Sequence, residues 1–261
     1  MSPPNDPVAR RSPRMVPFFE RVMRGQVARN FRALRVVKPG LPNLVPDRPV
    51  MVFTNHPSWW DPAVFMAVTG LLFPGRAGFG PIEAEMLKRY PFMARIGVFG
   101  VRQDGPRGAA HFLRTARHIV SEPDRILWIT AQGRFADPRE RPLALRPGAA
   151  HLLGRCPHVQ AVPMAIEYPF WTERRPEALL AFGPPIDVAP SERPAALAGR
   201  LETALIDTAD ALATRAIARD PGVFDTLIDG SRGTGGVYGQ WQRLRDRLAG
   251  RQHMPDHEPR P

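Results

Sequence analysis

Residues 50–72, VMVFTNHPSWWDPAVFMAVTGLL, constrain the fold more than any other stretch of the chain. Val50 to Thr54 form a short apolar, β-branched run, the pattern of a buried strand. Asn55-His56-Pro57-Ser58 reads as a turn. Asp61-Pro62 reads as a helix start, with Asp61 at the N-cap and Pro62 at the first helical position. Val64, Phe65, Val68, Leu71 and Leu72 then recur at helical spacing. A strand therefore delivers His56 to the mouth of a sheet, and a helix begins at Asp61. On one continuous helix this spacing would not put the two side chains on one face. Across a turn they can fold back toward each other. A carboxylate on one imidazole nitrogen would fix the tautomer and leave the other nitrogen to take a proton. Without that contact Asp61 is a helix cap and His56 a turn residue. Both readings stay open on this stretch alone.

Helical and strand patterns alternate along the rest of the chain, which points to an α/β fold. Residues 15–37 read as one amphipathic helix, with Phe18, Phe19, Val22, Met23, Val27, Phe31 and Leu34 on one side and arginines around them. Such a stripe suits a membrane interface or the surface of the domain itself. Residues 73–81 read as a loop, Glu83–Arg89 as a short helix, Ile96–Arg102 as a strand and 107–121 as an amphipathic helix. Strands follow at 125–130, 159–167 and 179–183. Pro163 inside the second of these marks an edge or an irregularity. A long helix spans 191–219, with Leu197, Leu201, Ala204, Leu205, Thr208, Leu212 and Ile217 on its apolar side. Residues 229–239 read as a Gly-rich linker and 240–250 as a short basic helix. Residues 1–14 and 251–261 read as disordered tails. The expected division is thus a domain over 15–190, including the amphipathic helix, and a helical extension over 191–250 packed on it.

The formal net charge is +11, and nearly all of the positive charge is arginine. Arginine favours planar, bidentate contact with phosphate, so anionic partners are expected. A biased composition alone can also produce such a surface. The single cysteine, Cys156, excludes an internal disulfide and suits a reducing compartment. No apolar stretch reaches the roughly 20 residues of a membrane span. No spacing of His, Cys and carboxylates suggests a metal site.

Asn55-His56-Pro57-Ser58-Trp59-Trp60-Asp61, with a strand just upstream, resembles the first motif of the lysophospholipid (glycerolipid) acyltransferase family, PlsC-like proteins. Three further stretches follow in the family's order. Gly97-Val98-Phe99 with Arg102 resembles its second motif. Ala131-Gln132-Gly133-Arg134-Phe135, with Arg146-Pro147-Gly148-Ala149 downstream, resembles its third, strand, Pro-Glu-Gly-Thr-Arg, loop, then a Lys/Arg-x-Gly-Ala helix start. Val159–Glu167 with Pro163 resembles its fourth. Together they cover roughly residues 30–190. The third motif departs from the family at Ala131, at Gln132 in place of Glu, and at Phe135 in place of Arg. The lost arginine leaves two readings of the acceptor. Arg134, Arg139 or Arg141 reaches a phosphate, or the acceptor has none.

The resemblance implies a central mixed, largely parallel sheet flanked by helices. It implies an O-acyltransferase that needs no cofactor. Acyl-CoA or acyl carrier protein serves as co-substrate and a lysophospholipid-like or other lipid as acceptor. His56 and Asp61 form the catalytic pair. Asn55, Ser58, Arg102, Gln132, Gly133, Arg134 and Pro163 bind substrate, with Pro163 linked to the acyl donor. The protein is expected in the cytoplasm, peripheral on the anionic inner face of the cell membrane, with no nucleic-acid partner. Two rivals remain at this level. One is a thioesterase with Ser58 as nucleophile, although no Gly-x-Ser-x-Gly elbow is present. The other is a non-catalytic basic module for membrane or nucleic acid.

Overall fold

The structure, a computed structural model, describes residues 6–102, 105–189 and 192–230. Its strands are β1 (Ala33–Val37), β2 (Val50–Thr54), β3 (Ala77–Glu83), β4 (Val98–Val101), β5 (Arg125–Thr130), β6 (Gln160–Glu167), β7 (Ala178–Phe182) and β8 (Phe224–Asp229). They join in one sheet ordered β4-β3-β5-β2-β6-β7-β1-β8. The stretch from β4 to β6 is parallel throughout. β7 runs antiparallel to β6, β1 parallel to β7, and β8 antiparallel to β1. This is the expected α/β class with a mixed, largely parallel sheet. The helices are α1 (Pro7–Arg10), α2 (Met15–Asn30), α3 (Asp61–Leu72), α4 (Ala84–Arg89), α5 (Gly105–Ile119), α6 (Gly148–Leu153) and α7 (Pro194–Ala218).

The strand pleat sorts the core into two layers. Val50 and Val52 of β2, with Ile126 and Trp128 of β5, face α2 and α3 through Val27, Val64, Phe65 and Val68. Met51 and Phe53, with Leu127 and Ile129, face α5, α6 and α7 through Ala116, Ile119, Leu152, Leu153, Leu197 and Leu201. A parallel strand covered on both faces must be apolar on both, which is why β2 reads as a continuous run. Val50, Met51, Val52 and Phe53 are all fully buried. Each such side chain contributes about 1.5–3 kcal/mol of burial. The strand that leads into His56 therefore lies in the most protected part of the molecule.

Several expectations are corrected. The amphipathic helix over 15–37 stops at Asn30. Residues 33–37 are instead β1, whose partners β7 and β8 lie far along the chain. Leu34 and Val36 alternate into the core as readily as they fit a helical stripe, and tertiary pairing decides between the two. Residues 77–83, expected mainly as a loop, form β3 between β5 and β4. Gly97 makes this possible, because a Cβ there would strike the Gly78 carbonyl. Residues 6–14, expected within a disordered tail, fold into α1 and its exit turn. Asp6 Oδ1 accepts from Val8 N–H (2.9 Å), and Ser12 N–H donates to the Arg95 carbonyl (2.8 Å). α7 closes the core, and β8 returns to the sheet as an edge strand that the helical-extension reading omits. Ile217, assigned to the apolar side of that helix, is exposed, and Ala216 is buried in its place. Asp229, placed in the linker, ends β8. The rest of the linker from 231, the helix over 240–250 and the tail over 251–261 lie outside the described residues.

The one charged pair buried within the sheet ties its late edge together among the described residues. Arg35 Nε donates to Glu177 Oε2 (3.0 Å), and its NH1 donates to Thr226 Oγ1 (2.7 Å). Burial pushes the Glu177 carboxyl up, and the Arg35 charge opposes that rise. Arg35→Ala should destabilise the fold by about 3–5 kcal/mol, because it strands a buried carboxylate. The deficit should widen as pH rises past 4.5, the ordinary glutamate value, where the unfolded chain ionises freely. Urea unfolding at pH 4 and pH 8 measures both.

Candidate active site

β2 ends at Thr54, and Asn55 locks the chain immediately after it. Its Nδ2 donates to the Ile166 carbonyl (2.9 Å), and its Oδ1 accepts from Ile166 N–H (2.9 Å). That pair of bonds pins the exit of β2 to the end of β6. The chain then turns through Pro57–Trp60. Asp61 N–H donates to the Ser58 carbonyl (3.2 Å), and Trp60 N–H donates to Ser58 Oγ (3.2 Å). Asp61 is thus the first residue of α3 and not the cap preceding it, a correction to the sequence reading.

The Asp61 carboxylate turns back over the loop. Its Oδ2 lies 2.5 Å from His56 Nδ1 and accepts from Ser58 N–H (3.2 Å). Its Oδ1 accepts from the Tyr168 hydroxyl (2.6 Å). Asp61 is 0% exposed and the His56 side chain 16%. A carboxylate taken wholly out of water needs such donors, and the α3 N-terminus adds a favourable dipole. A carboxylate can only accept, so Nδ1 carries the hydrogen. The ε nitrogen is then the basic one, on a ring that still meets solvent. Burial, and next the Asp61 charge, holds the Tyr168 hydroxyl well above the usual tyrosine pKa, so it stays a donor.

The far side of the imidazole is covered by Phe135, with ring centroids 4.3 Å apart and planes tilted by 33°. Ala136 N–H donates to the His56 carbonyl (3.0 Å), fixing the loop after β5 against the loop after β2. His56, Phe135 and Tyr168 thus follow three adjacent parallel strands, β2, β5 and β6, at their C-terminal ends. Side chains from several loops converge at that edge of an open α/β sheet.

The other expected site residues divide. Asn55 is buried, with its amide engaged by the Ile166 backbone, so it positions and does not face a ligand. Ser58 serves Asp61 and Trp60, as above. Gln132 is buried and donates from Nε2 to the Leu143 carbonyl (3.2 Å). Gly133 has φ +65°, and the group close against it is the Arg146 side chain, which a Cβ there would strike. Arg134 pairs with Glu140 on the surface. Pro163 is buried in β6, paired with Phe53. Its carbonyl accepts from Gly183 N–H (3.0 Å), where β7 has already left the ladder. β6 lies between β2 and β7, so Pro163 is not at an edge, and its register with β2 runs through it unbroken. Arg102 follows β4 and lines a groove of about 620 Å3 with Arg107 and His111 at the start of α5.

Tyr168 escaped the sequence reading, which placed it in a loop. The one available signal was a lone tyrosine just past an apolar strand. Among the described residues no cluster of three or more metal-ligating side chains occurs.

The family model described as Acyltransferase matches residues 35–167, from within β1 to the last residue of β6. No curated protein matches the chain. Among solved structures, the crystal structure of PlsC, the 1-acyl-sn-glycerophosphate (LPA) acyltransferase of Thermotoga maritima, is similar with a TM-score of 0.53 at 15% identity. The similarity covers 77% of this chain and 80% of that one. At this identity it speaks for a shared fold. With half of its length matched, and with His56 and Asp61 inside the match, the chain belongs to the Acyltransferase family.

Proposed function

We propose that this acyltransferase moves a fatty acyl group from a thioester, on coenzyme A or acyl carrier protein, to the hydroxyl of a lysophospholipid-like or other lipid acceptor. The observation that carries the reading is the 2.5 Å contact between His56 Nδ1 and the fully buried Asp61 carboxylate. His56 Nε2 takes the proton of the acceptor hydroxyl, and the oxygen attacks the thioester carbonyl. Asp61 orients the imidazole and stabilises its charged form. The carbon–sulfur bond breaks, the thiolate leaves, and the imidazolium returns the proton to it. The products are an ester and a free thiol, without a covalent acyl-enzyme. A Ser58 nucleophile fits less well, because its hydroxyl accepts from Trp60 N–H.

Arg102, in its groove at the α5 N-terminus, is assigned the anionic part of a substrate remote from the reacting carbonyl. Membrane contact is assigned to α2. Its buried side packs on α3 through Val27, while Phe18 is 60% exposed and lies edge-on to Phe19, which stacks on Phe92. Arg14, Arg21 and Arg29 are exposed on the same helix or at its start. Aromatic side chains bordered by arginines suit the anionic inner face of the cell membrane. No helix of the described residues is long and apolar enough to cross a membrane.

His56→Ala should lower transfer by about 10²–10⁴-fold in protein that still folds, with a lowered melting temperature because buried Asp61 loses a donor, and retained activity in pure protein would sink the assignment. Ser58→Ala should retain transfer, whereas a thioesterase would lose turnover. Tyr168→Phe should lower kcat by about tenfold with KM little changed, since a hydrogen bond to a charged group is lost. Stability of the parent should fall as pH rises past 10, where the unfolded tyrosine loses a proton that folded Tyr168 keeps, and Tyr168→Phe should flatten that fall.

A further inference from the structure

The wall beside the histidine carries more information than the relay behind it. Phe135 places its ring against the His56 ring and is still 58% exposed. An acceptor that offers a hydroxyl to the imidazole comes close to this ring. The face of a phenyl ring carries the negative part of its quadrupole, so it repels an anion and attracts hydrocarbon.

The cations nearest in sequence do not offset that. Arg134 is paired with Glu140, Arg139 with Asp137, and Arg141 with Asp210. Glu167, at the end of β6, adds a fourth carboxylate close enough to feel Arg139 and Arg141. A phosphate entering here would compete with these carboxylates for the guanidinium groups of Arg134, Arg139 and Arg141 and would remain beside them. The Arg102 groove is on the same edge of the sheet but three strands from β2. At about 4.8 Å per strand the ends of the two strands stand about 14 Å apart. Arg102 lines its own groove beside α5, so a phosphate next to the reacting alcohol would have to draw that side chain across this spacing.

We infer that the acceptor alcohol is flanked by uncharged, hydrocarbon-bearing carbons and not by a phosphomonoester, with Phe135 as the residue that sets this preference. The inference rests on the transferase reading and narrows it to neutral lipid alcohols. Two other exposed aromatics fit the same mouth. Trp59 (76% exposed) leaves the loop after β2, and Phe170 (63% exposed) the loop after β6. With Phe135 they line the exits of the three central strands with apolar rings.

A matched pair of acceptors tests it. Monooleoylglycerol and oleoyl-lysophosphatidic acid differ only in the phosphate. Each is supplied in neutral phosphatidylcholine vesicles with oleoyl-CoA or oleoyl-acyl carrier protein and the full chain. The parent should favour the neutral alcohol in kcat/KM by at least about tenfold, and Phe135→Arg should shift the ratio toward the phosphate by about tenfold. Phe135→Leu, still apolar, should keep the parent ratio. A parent that favours the phosphomonoester, or a Phe135→Arg protein with an unchanged ratio, overturns the inference and leaves the transferase reading standing. If neither acceptor is acylated and thioester loss does not depend on His56, both fall. Because Phe135 is exposed, folding is expected to survive. If Phe135→Arg nevertheless unfolds, the parent ratio decides alone.

Discussion

A carboxylate with no solvent contact organises the active-site edge. Asp61 is stable there only because an imidazole, a backbone amide and a phenol all donate to it. Each donor comes from a different structural source, so each source must be placed accurately. The His56 turn is placed by β2, the amide by the Ser58 turn, and the phenol by the end of β6. Asn55 joins the first of these to the last through two bonds to Ile166. Removing any one leaves a buried charge short of partners, which is far more harmful than losing an exposed hydrogen bond. The precision of the site follows from the electrostatic demand at its centre.

The same arrangement explains why two-sided burial of β2 matters for the proposed chemistry. A general base works only if its orientation does not wander. β2 is flanked by β5 and β6 and covered by helices on both faces, so the chain leading into His56 has almost no freedom. The loop after β5 is tied to it by the Ala136 amide, and the loop after β6 by Tyr168 and Asn55. The candidate site is thus carried on three loops but anchored in three neighbouring strands.

Local patterns revealed those parts of the fold whose determinants are local. β2, β5, β6, β7 and α5 were legible from period and composition, while the His56–Asp61 pair was legible only through the family resemblance, its turn and spacing alone leaving a cap-and-turn reading open. β1 was not, because Ala33–Val37 continues a helical stripe, and only pairing with β7 and β8 makes it a strand. β3 was hidden by its glycines and Pro81, and β8 by following a long helix. Tyr168 was invisible for a similar reason. Its role depends on Asp61, more than a hundred positions earlier, and a single tyrosine has no period. Phe135 was visible as an oddity in a motif, but that it lies on His56 was not.

β1 sits between β7 and β8, so a strand made near the start of the chain waits for two made near its end. Arg32 and Asp229, bonded at 2.8 Å, are 197 positions apart. During synthesis the early segment emerges long before either partner exists, with Leu34 and Val36 uncovered. The sheet can assemble from its centre outward, but this margin closes only when the last strand clears the ribosome. Completion of the fold is therefore a late event, governed by chain closure over nearly the whole described length.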